Sequence, residues 1–280
     1  MTGLLLATDL SPHADRALDR AAMLAATHGG TLHVLHVVAP DLLSGPGLDR
    51  AMQAAAVLLH DDIAEAGLPA ELKLVELVRT GEPDDAIVQA AREAGSTMLV
   101  LSAPHSDLLV QIFRGSVLHR VVRAAPCPVL VVRRRARRAY RRIVVAVDLS
   151  IQSRRALELA LRLLPAAAMA EAAFTLVHAS AVTAPPAQQT EQRTRIEDML
   201  AATLARLASE GRTAPGQVEV VVATGSPEQV VAEAAARQHA ELVVAGTLGM
   251  GGVASLLLGS TAEALLAILP CDVLAVRSPD

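Results

Sequence analysis

Short apolar runs alternate with longer amphipathic segments along the first half of the chain. The apolar runs are typical of buried parallel strands, and the segments between them carry helical spacing. The predicted strands are Leu4–Ala7, Thr31–Val38, Leu72–Val78, Thr97–Leu101 and Val129–Val132. The predicted helices are His13–His28, Leu48–Ala66, Asp84–Glu93 and Phe113–Arg123, with Ser11 as the N-cap of the first. Strict alternation of strand and helix predicts an α/β fold with a doubly wound parallel sheet and helices on both faces.

The second half of the chain repeats the first. Leu6–Ser11 returns as Val145–Ser150, and the turn Thr80–Pro83 returns as Thr224–Pro227. The further matches are Leu35-His36 with Val177-His178, Arg114–Ser116 with Leu258–Ser260, and Pro126–Leu130 with Pro270–Leu274. Matches in one order, at a nearly constant offset, indicate two copies of one domain. The sequence therefore predicts tandem domains at residues 1–135 and 141–280.

Composition excludes several classes of protein. The 280 residues are 52% hydrophobic, with no Trp, one Tyr and two Phe, so the aromatic platforms of base-stacking modules are missing. The net charge of −4 disfavours general binding to polyanions, and nucleic acid is therefore an unlikely partner. No apolar run is long enough to span a bilayer, and the start MTGLLLATDL lacks a basic signal-peptide region. These features and the two cysteines favour a reduced, cytoplasmic protein.

A basic segment, RRRARRAYRR, joins the two copies at Arg133–Arg142. One interpretation is an anion-binding or nucleic-acid patch, which could also attract ATP. The other is a solvated linker, which we favour because no aromatic side chains accompany the charges.

The cysteines and two of the histidines have structural interpretations. Cys127 and Cys271 occupy equivalent positions, each just before a predicted strand, and are read as small buried hydrophobic residues. His36 and His178 occupy equivalent positions and have no partners at metal-ligand spacing, so we interpret them as core or strand-end histidines. No metal site is predicted.

A glycine-rich stretch carries the candidate chemistry. The apolar run Leu242–Ala245 predicts a strand, glycines follow it, and Gly259-Ser260-Thr261 leads into a helical pattern. Glycines allow a ligand to approach the backbone closely, and the free N–H groups at a helix N-terminus favour negative charge. This stretch therefore predicts a phosphate-binding site.

The spacing of this stretch, G-x2-G-x9-G-S from Gly246 to Ser260, resembles that of the nucleotide-binding members of the universal stress protein family. The resemblance extends over nearly the whole chain as a tandem pair. It implies five parallel strands in the order 3-2-1-4-5 in each domain, with ligands at the switch point of the strand order. It also implies ATP as the ligand, with or without Mg²⁺ on its phosphates. The implied nucleotide-binding residues are Ala146, Val147, Asp148, Ala179, Ala245, Gly246, Thr247, Gly249, Gly259, Ser260 and Thr261.

Within this set, adenine and ribose are implied near Ala146, Asp148 and Ala179, and the phosphates near the glycines and hydroxyls. The small alanines leave room for a flat base, and the Asp148 carboxylate can accept hydrogen bonds from it or from ribose. The alternative for Asp148 is a turn or helix-cap role.

The first copy departs from the motif. Ser102 and His105 replace the first two glycines, and Pro104 removes a backbone donor between them. A degenerate counterpart of the site remains at Asp9, Val37, Gly115 and Ser116. We expect this copy to bind ATP weakly or not at all.

Three functions remain open. The first is an ATP-binding regulatory protein of the stress response, with an unknown protein partner. The second is a nucleotide-independent interaction or scaffold protein of the same fold. The third is a slow ATPase, although no catalytic residues are predicted. The only lysine, Lys73, lies on a predicted strand, so the chain has no Walker A motif. The G-x-S-x-G motif of hydrolases is also absent. The resemblance also implies an intrachain pseudo-dimer through the last strands, Val129–Val132 and Val273–Val276, with a homodimer as a further assembly.

Overall fold

The structure is a computed structural model that describes residues 3–11, 14–39, 45–103, 116–247 and 258–277. The chain divides into two compact units, Met1–Arg137 and Arg138–Ser278. Each unit contains a five-stranded parallel sheet with its own core. Among the described residues, no helix combines the length and apolar character needed to cross a bilayer.

The N-terminal unit alternates strands and helices. Its strands are β1 (Gly3–Thr8), β2 (Thr31–Val38), β3 (Lys73–Thr80), β4 (Met98–Ser102) and β5 (Val129–Val132). Its described helices are α1 (Asp15–His28), α2 (Pro46–Glu65), α3 (Pro83–Glu93) and α4 (Val117–Ala124). The strands lie in the order β3-β2-β1-β4-β5, and every described pairing between them is parallel. The predicted order 3-2-1-4-5 is confirmed.

The C-terminal unit repeats this topology. Its strands are β6 (Arg142–Ala146), β7 (Ala173–Ser180), β8 (Gln217–Thr224), β9 (Leu242–Gly246) and β10 (Asp272–Val276). Its described helices are α5 (Ile151–Arg162), α6 (Ala166–Glu171), α7 (Pro186–Ser209), α8 (Pro227–Arg237) and α9 (Ser260–Ile268). The order is β8-β7-β6-β9-β10, again parallel throughout. The fold class predicted from strand–helix alternation is confirmed.

The central strands form the core of each unit. Leu4, Leu5 and Leu6 of β1 are fully buried, as is the middle of β9. Continuous apolar runs are required here because helices cover both faces of the sheet. Both cysteines are buried and neither is in a disulfide, and burial raises the pKa of Cys127 to about 12, which keeps its thiol neutral. Both observations agree with the interpretation as small buried residues.

One predicted helix start is wrong. Helix α1 begins at Asp15, and its N-cap is Ala14 rather than Ser11. The backbone N–H of Ala14 donates to the carbonyl oxygen of Ser11 at 2.8 Å, so a separate turn precedes the helix. In the second copy, Ser150 does cap its helix, because its Oγ accepts from the N–H of Ser153 at 3.1 Å. The predicted helix Phe113–Arg123 is described only from Ser116 onward, and its regular part is α4.

The basic segment between the copies is held by ion pairs. Four of its seven arginines contact acidic side chains of the unit to which each belongs, and two of them share Glu241. The pairs are Arg135–Asp19 at 2.8 Å, Arg138–Glu241 at 3.0 Å, Arg141–Glu171 at 2.6 Å and Arg142–Glu241 at 3.1 Å. These carboxylates offset part of the positive charge that a polyanion would need. The solvated-linker interpretation is therefore the better supported one.

An ion-pair network joins α5 to the end of α7. Arg206 binds Glu158, with Nη1 at 2.9 Å from Oε1, and Arg162 Nε lies 3.0 Å from the same oxygen. Arg162 also binds Glu210 at 2.7 Å. The hydrogen bond from Arg206 is the main reason that the pKa of Glu158 lies below its ordinary value, and the bond from Arg162 adds to it against the opposing effect of burial.

This lowered pKa predicts a loss of stability in acid. A carboxyl whose folded pKa is depressed stabilises the fold above its unfolded pKa, and this contribution disappears as the pH falls through the folded value. Chemical unfolding between pH 7 and about pH 3 should therefore show a declining midpoint. Glu158→Gln should be less stable at pH 7 and should decline less on acidification. If the unfolding midpoint of Glu158→Gln declined with pH just as that of the wild type does, the ion-pair network would contribute nothing to the loss of stability in acid.

Candidate functional site

The carboxyl ends of β6 and β9 lie side by side in the C-terminal unit. The two strands pair in parallel, with Val144 opposite Val243 and Val145 opposite Val244. Strand β7 lies on the other side of β6, and β10 on the other side of β9. The strand order reverses between β6 and β9, and open α/β sheets bind ligands at such a switch point. The predicted residues Ala146, Val147, Ala245 and Gly246 end these two strands and therefore lie together.

The turn after β6 fixes the Asp148 side chain. Its Oδ1 accepts a hydrogen bond from the backbone N–H of Ser150 at 3.0 Å. Leu149, between them, adopts a left-handed backbone conformation with φ of 63°. The carboxylate is half-buried at the strand end and is held in one orientation by the turn. The turn role and the binding role of Asp148 are thus compatible, since the turn occupies one carboxylate oxygen.

His178 has a structural contact at the same edge. Its Nδ1 lies 2.8 Å from the carbonyl oxygen of Val147, which requires Nδ1 to carry the proton. The side chain is 7% exposed, and the next residue, Ala179, is half-buried near the end of β7. This contact supports the strand-end interpretation of His178. Among the described residues, no group of three or more His, Cys, Asp or Glu side chains could hold a metal ion.

The two ends of the glycine motif meet directly. The N–H of Gly259 donates to the carbonyl oxygen of Thr247 at 2.6 Å, and the N–H of Thr247 donates to Val276 at 2.9 Å. Thr247 is buried, while Gly246 and Gly259 are partly accessible. The chain therefore returns to the end of β9 before it enters α9. Gly249 lies outside the described residues.

Helix α9 opens at this point. Gly259 is its N-cap, with φ of −64° and ψ of 144°, and no side chain in the described part of the chain caps the helix. The helix begins with Ser260, which is exposed, and Thr261, which is half-buried. The first backbone N–H groups of a helix have no intrahelical acceptor and attract an anion. The structure thus places two hydroxyl residues and a helix N-terminus without a described side-chain cap next to the end of β9.

The N-terminal unit has a cleft at the equivalent edge. Its volume is about 560 Å³, and most of its lining is apolar. The predicted residues Asp9, Val37 and Ser116 all line it, and Gly115 lies outside the described residues. The wall formed by Pro83, Ile87 and other apolar residues was not predicted from the sequence. The repeated Thr-Gly-x-Pro turn was the available signal, because that turn starts the helix that forms this wall.

Comparisons with known proteins agree with this architecture. Residues 1–133 and 139–277 each match the model of the universal stress protein family. A universal stress protein of Thermus aquaticus is 36% identical over 136 residues, which cover 46% of this chain and 97% of that protein. A solved universal stress protein from Archaeoglobus fulgidus covers 99% of this chain and 97% of its own, with a TM-score of 0.72 at 21% identity. A second structure from Archaeoglobus fulgidus, in complex with dAMP, covers 47% of this chain and 97% of its own, with a TM-score of 0.36 at 24% identity.

Proposed function

This chain belongs to the universal stress protein family, and from that premise we propose that it is an ATP receptor whose C-terminal unit holds the nucleotide. The observation that carries the proposal is the N-terminus of α9, which opens without a side-chain cap among the described residues and lies next to Thr247. Such a helix start presents backbone donors to phosphate. This helix start also contains Ser260, the last residue of the G-x2-G-x9-G-S motif.

The base and the ribose would lie at the ends of β6 and β7. Ala146 and Ala179 are small enough to admit a flat ring, and both are half-buried. Asp148 would accept hydrogen bonds from the ribose hydroxyls or from an amino group on the base. Because the Ser150 N–H already orients this carboxylate, little conformational entropy is lost when the ligand binds.

The phosphates would lie over the motif. Gly246 and the first turn of α9 would supply backbone N–H groups, and Ser260 and Thr261 would supply hydroxyl donors. The N–H of Gly259 already donates to Thr247, so Gly259 would contribute close approach of the backbone rather than a donor. Mg²⁺ would be carried on the phosphates, since no cluster of three acidic or other ligating side chains is found among the described residues.

The proposed role is regulatory rather than catalytic. Hydrolysis would require a general base that is positioned to activate water. The carboxylate nearest in sequence to the motif is that of Glu263, which belongs to the first turn of α9 and is not assigned this role. ATP occupancy would alter the surface that a protein partner meets, in the cytoplasm and under stress. Any hydrolysis would be slow.

Calorimetric titration of the full chain with ATP and Mg²⁺ tests the proposal. We expect about one high-affinity site per chain. Asp148→Asn should weaken binding about tenfold through loss of a charge-assisted hydrogen bond, whereas the matched variant Asp9→Asn should bind ATP as the wild type does. No binding to the folded wild type would reject ATP and favour a scaffold role. Equal loss in both variants would reject the preference for the C-terminal unit.

A further inference from the structure

The cleft of the N-terminal unit is large enough for a small molecule but differs chemically from the proposed ATP site. Its volume of about 560 Å³ lies within the range of ligand pockets. Ala7, Leu35 and Leu101 of the strands line it, and Ile87 and Leu118 of the helices add apolar walls. The polar groups that face it come from Asp9, His36 and a few hydroxyls. This combination suits a flat heterocycle with a small number of hydrogen-bonding groups.

The half of the site that would hold a base and a sugar keeps the same aspartate and histidine contacts in both units, although Val37 replaces Ala179. Asp9 Oδ1 accepts from the N–H of Ser11 at 3.1 Å, as Asp148 does from Ser150. His36 Nδ1 lies 3.0 Å from the carbonyl oxygen of Thr8, matching the contact of His178. Because a carbonyl oxygen can only accept, Nδ1 is the donor, and in the neutral imidazole Nε2 is then the acceptor of a side chain that lines the cleft. The N-terminal unit thus keeps the acceptors that hydroxyl and amino groups require.

The half that would hold phosphates is different. Helix α4 is capped by its own Ser116, whose Oγ accepts from the N–H of His119 at 3.2 Å. In the C-terminal unit, the N-cap is Gly259, and no described side chain takes this role. Val117 replaces the hydroxyl of Thr261 at the aligned position and lines the cleft. An anion at the start of α4 would compete with the serine cap and would meet an apolar neighbour.

Acidic residues next to a cleft residue also disfavour a polyphosphate. Glu82, Asp84 and Asp85 flank Pro83 in the sequence, and Pro83 lines the cleft. Arg120 compensates one of them, because its Nε lies 2.7 Å from Asp84, and this hydrogen bond lowers the pKa of Asp84. The aligned residues of the C-terminal unit are Ser226, Glu228 and Gln229, so its turn carries fewer negative charges. Glu82 and Asp85, which are exposed, would repel nucleotide phosphates more than a neutral ligand.

We propose that the N-terminal cleft binds an uncharged purine nucleoside. One chain would then bind two related molecules, the nucleotide in the C-terminal unit and its dephosphorylated form in the N-terminal unit. The identity of the base rests on the proposed function, since the shared half of the two sites carries that assignment. The exclusion of phosphate rests on the N-terminal unit alone.

Titration of the full chain with adenosine, in parallel with ATP and Mg²⁺, tests this proposal. Ala7→Leu places a larger side chain in the cleft lining and should weaken adenosine binding roughly tenfold or more, without changing ATP binding. The matched variant Ala146→Leu should do the reverse. Circular dichroism melting would establish that both variants are folded. Asp9→Asn, at an exposed position, supplies a second variant that conserves shape and should weaken adenosine binding about tenfold.

Three results would overturn the proposal, and a fourth would separate it from the proposed function. Absence of adenosine binding at millimolar concentration would reject the cleft as a nucleoside site, even if ATP binds as proposed. Loss of adenosine binding in Ala146→Leu but not in Ala7→Leu would place the nucleoside in the C-terminal unit. A second ATP site that disappears in Ala7→Leu would show that the cleft accepts phosphate. If ATP fails to bind while adenosine binds and responds to Ala7→Leu, the proposed function fails and the nucleoside site stands.

Discussion

Gly259→Asp should weaken ATP binding about 100-fold or more, the largest effect that we expect from one substitution in this protein. The new carboxylate would stand at the N-cap of α9, where the phosphates are proposed to lie. It would accept the first N–H groups of the helix itself and would repel the phosphates. The backbone at Gly259 has φ of −64°, so a side chain introduces no left-handed strain. Aspartate is a favourable N-cap, and the melting temperature should therefore stay equal or rise slightly.

Two control variants separate the reasons for this loss. Gly259→Ser adds a neutral cap at the same place and should weaken ATP binding far less than Gly259→Asp does. Gly115→Asp changes the aligned glycine of the first copy and should leave ATP binding intact. Wild-type affinity in Gly259→Asp would show that the helix start is not the phosphate site. An equal loss in the serine variant would indicate a steric effect rather than a charge effect.

Tyr140→Phe should lower the free energy of unfolding by about 2 kcal/mol. The Tyr140 hydroxyl donates to Asp272 Oδ2 at 2.6 Å, and both residues are only 1% exposed. Removal of the hydroxyl leaves a buried carboxyl group with one partner fewer, which costs more than the loss of an exposed hydrogen bond. Chemical unfolding monitored by circular dichroism would measure the change. The effect should fall on the C-terminal unit, because this bond fixes the start of β10 to the segment before β6.

A double-mutant cycle with Asp272→Asn isolates this pair. If the hydrogen bond carries the stability, the double variant should be less destabilised than the sum of the two single variants. Additive losses would show that each residue acts through its other contacts. A loss below about 0.5 kcal/mol in Tyr140→Phe would contradict the assignment of a costly buried pair.

Most strands and helices of the fold could be predicted from the local sequence pattern. Strands β2 and β5 have the bounds that their apolar runs predict, Thr31–Val38 and Val129–Val132. These runs are continuous because the strands of a covered parallel sheet bury both faces. The start of α1 could not be predicted, because the same Asp-Leu-Ser sequence caps a helix in the second copy and precedes the helix as a separate turn in the first. Local sequence left both outcomes open.

Only part of the candidate site could be predicted from the sequence. Spacing identified Gly259 and Ser260 as the end of a phosphate motif, since glycine and hydroxyl residues are recognisable wherever they occur. The hydrogen bond from Gly259 to Thr247 closes the loop between residues far enough apart in sequence that no local pattern specifies it. The apolar wall of the N-terminal cleft was missed for a similar reason. Ile87 has the pattern of any core residue on a helix, and only the packing of α3 beside the strand ends turns it into a cleft wall.

Sequence by itself determined the repeat, the alternation of strands and helices, the order of chemical groups along the motif and the loss of that motif in the first copy. These properties depend on residue type and on spacing along the chain. Tertiary structure decided how each helix start is satisfied: Ser116 caps α4 with its own hydroxyl, whereas α9 begins at Gly259 with no described side chain in that role. It also decided that a cleft of about 560 Å³ persists where the motif is lost. Hydrogen-bond partners and empty volume depend on which segments meet in space, and distances along the sequence do not fix them.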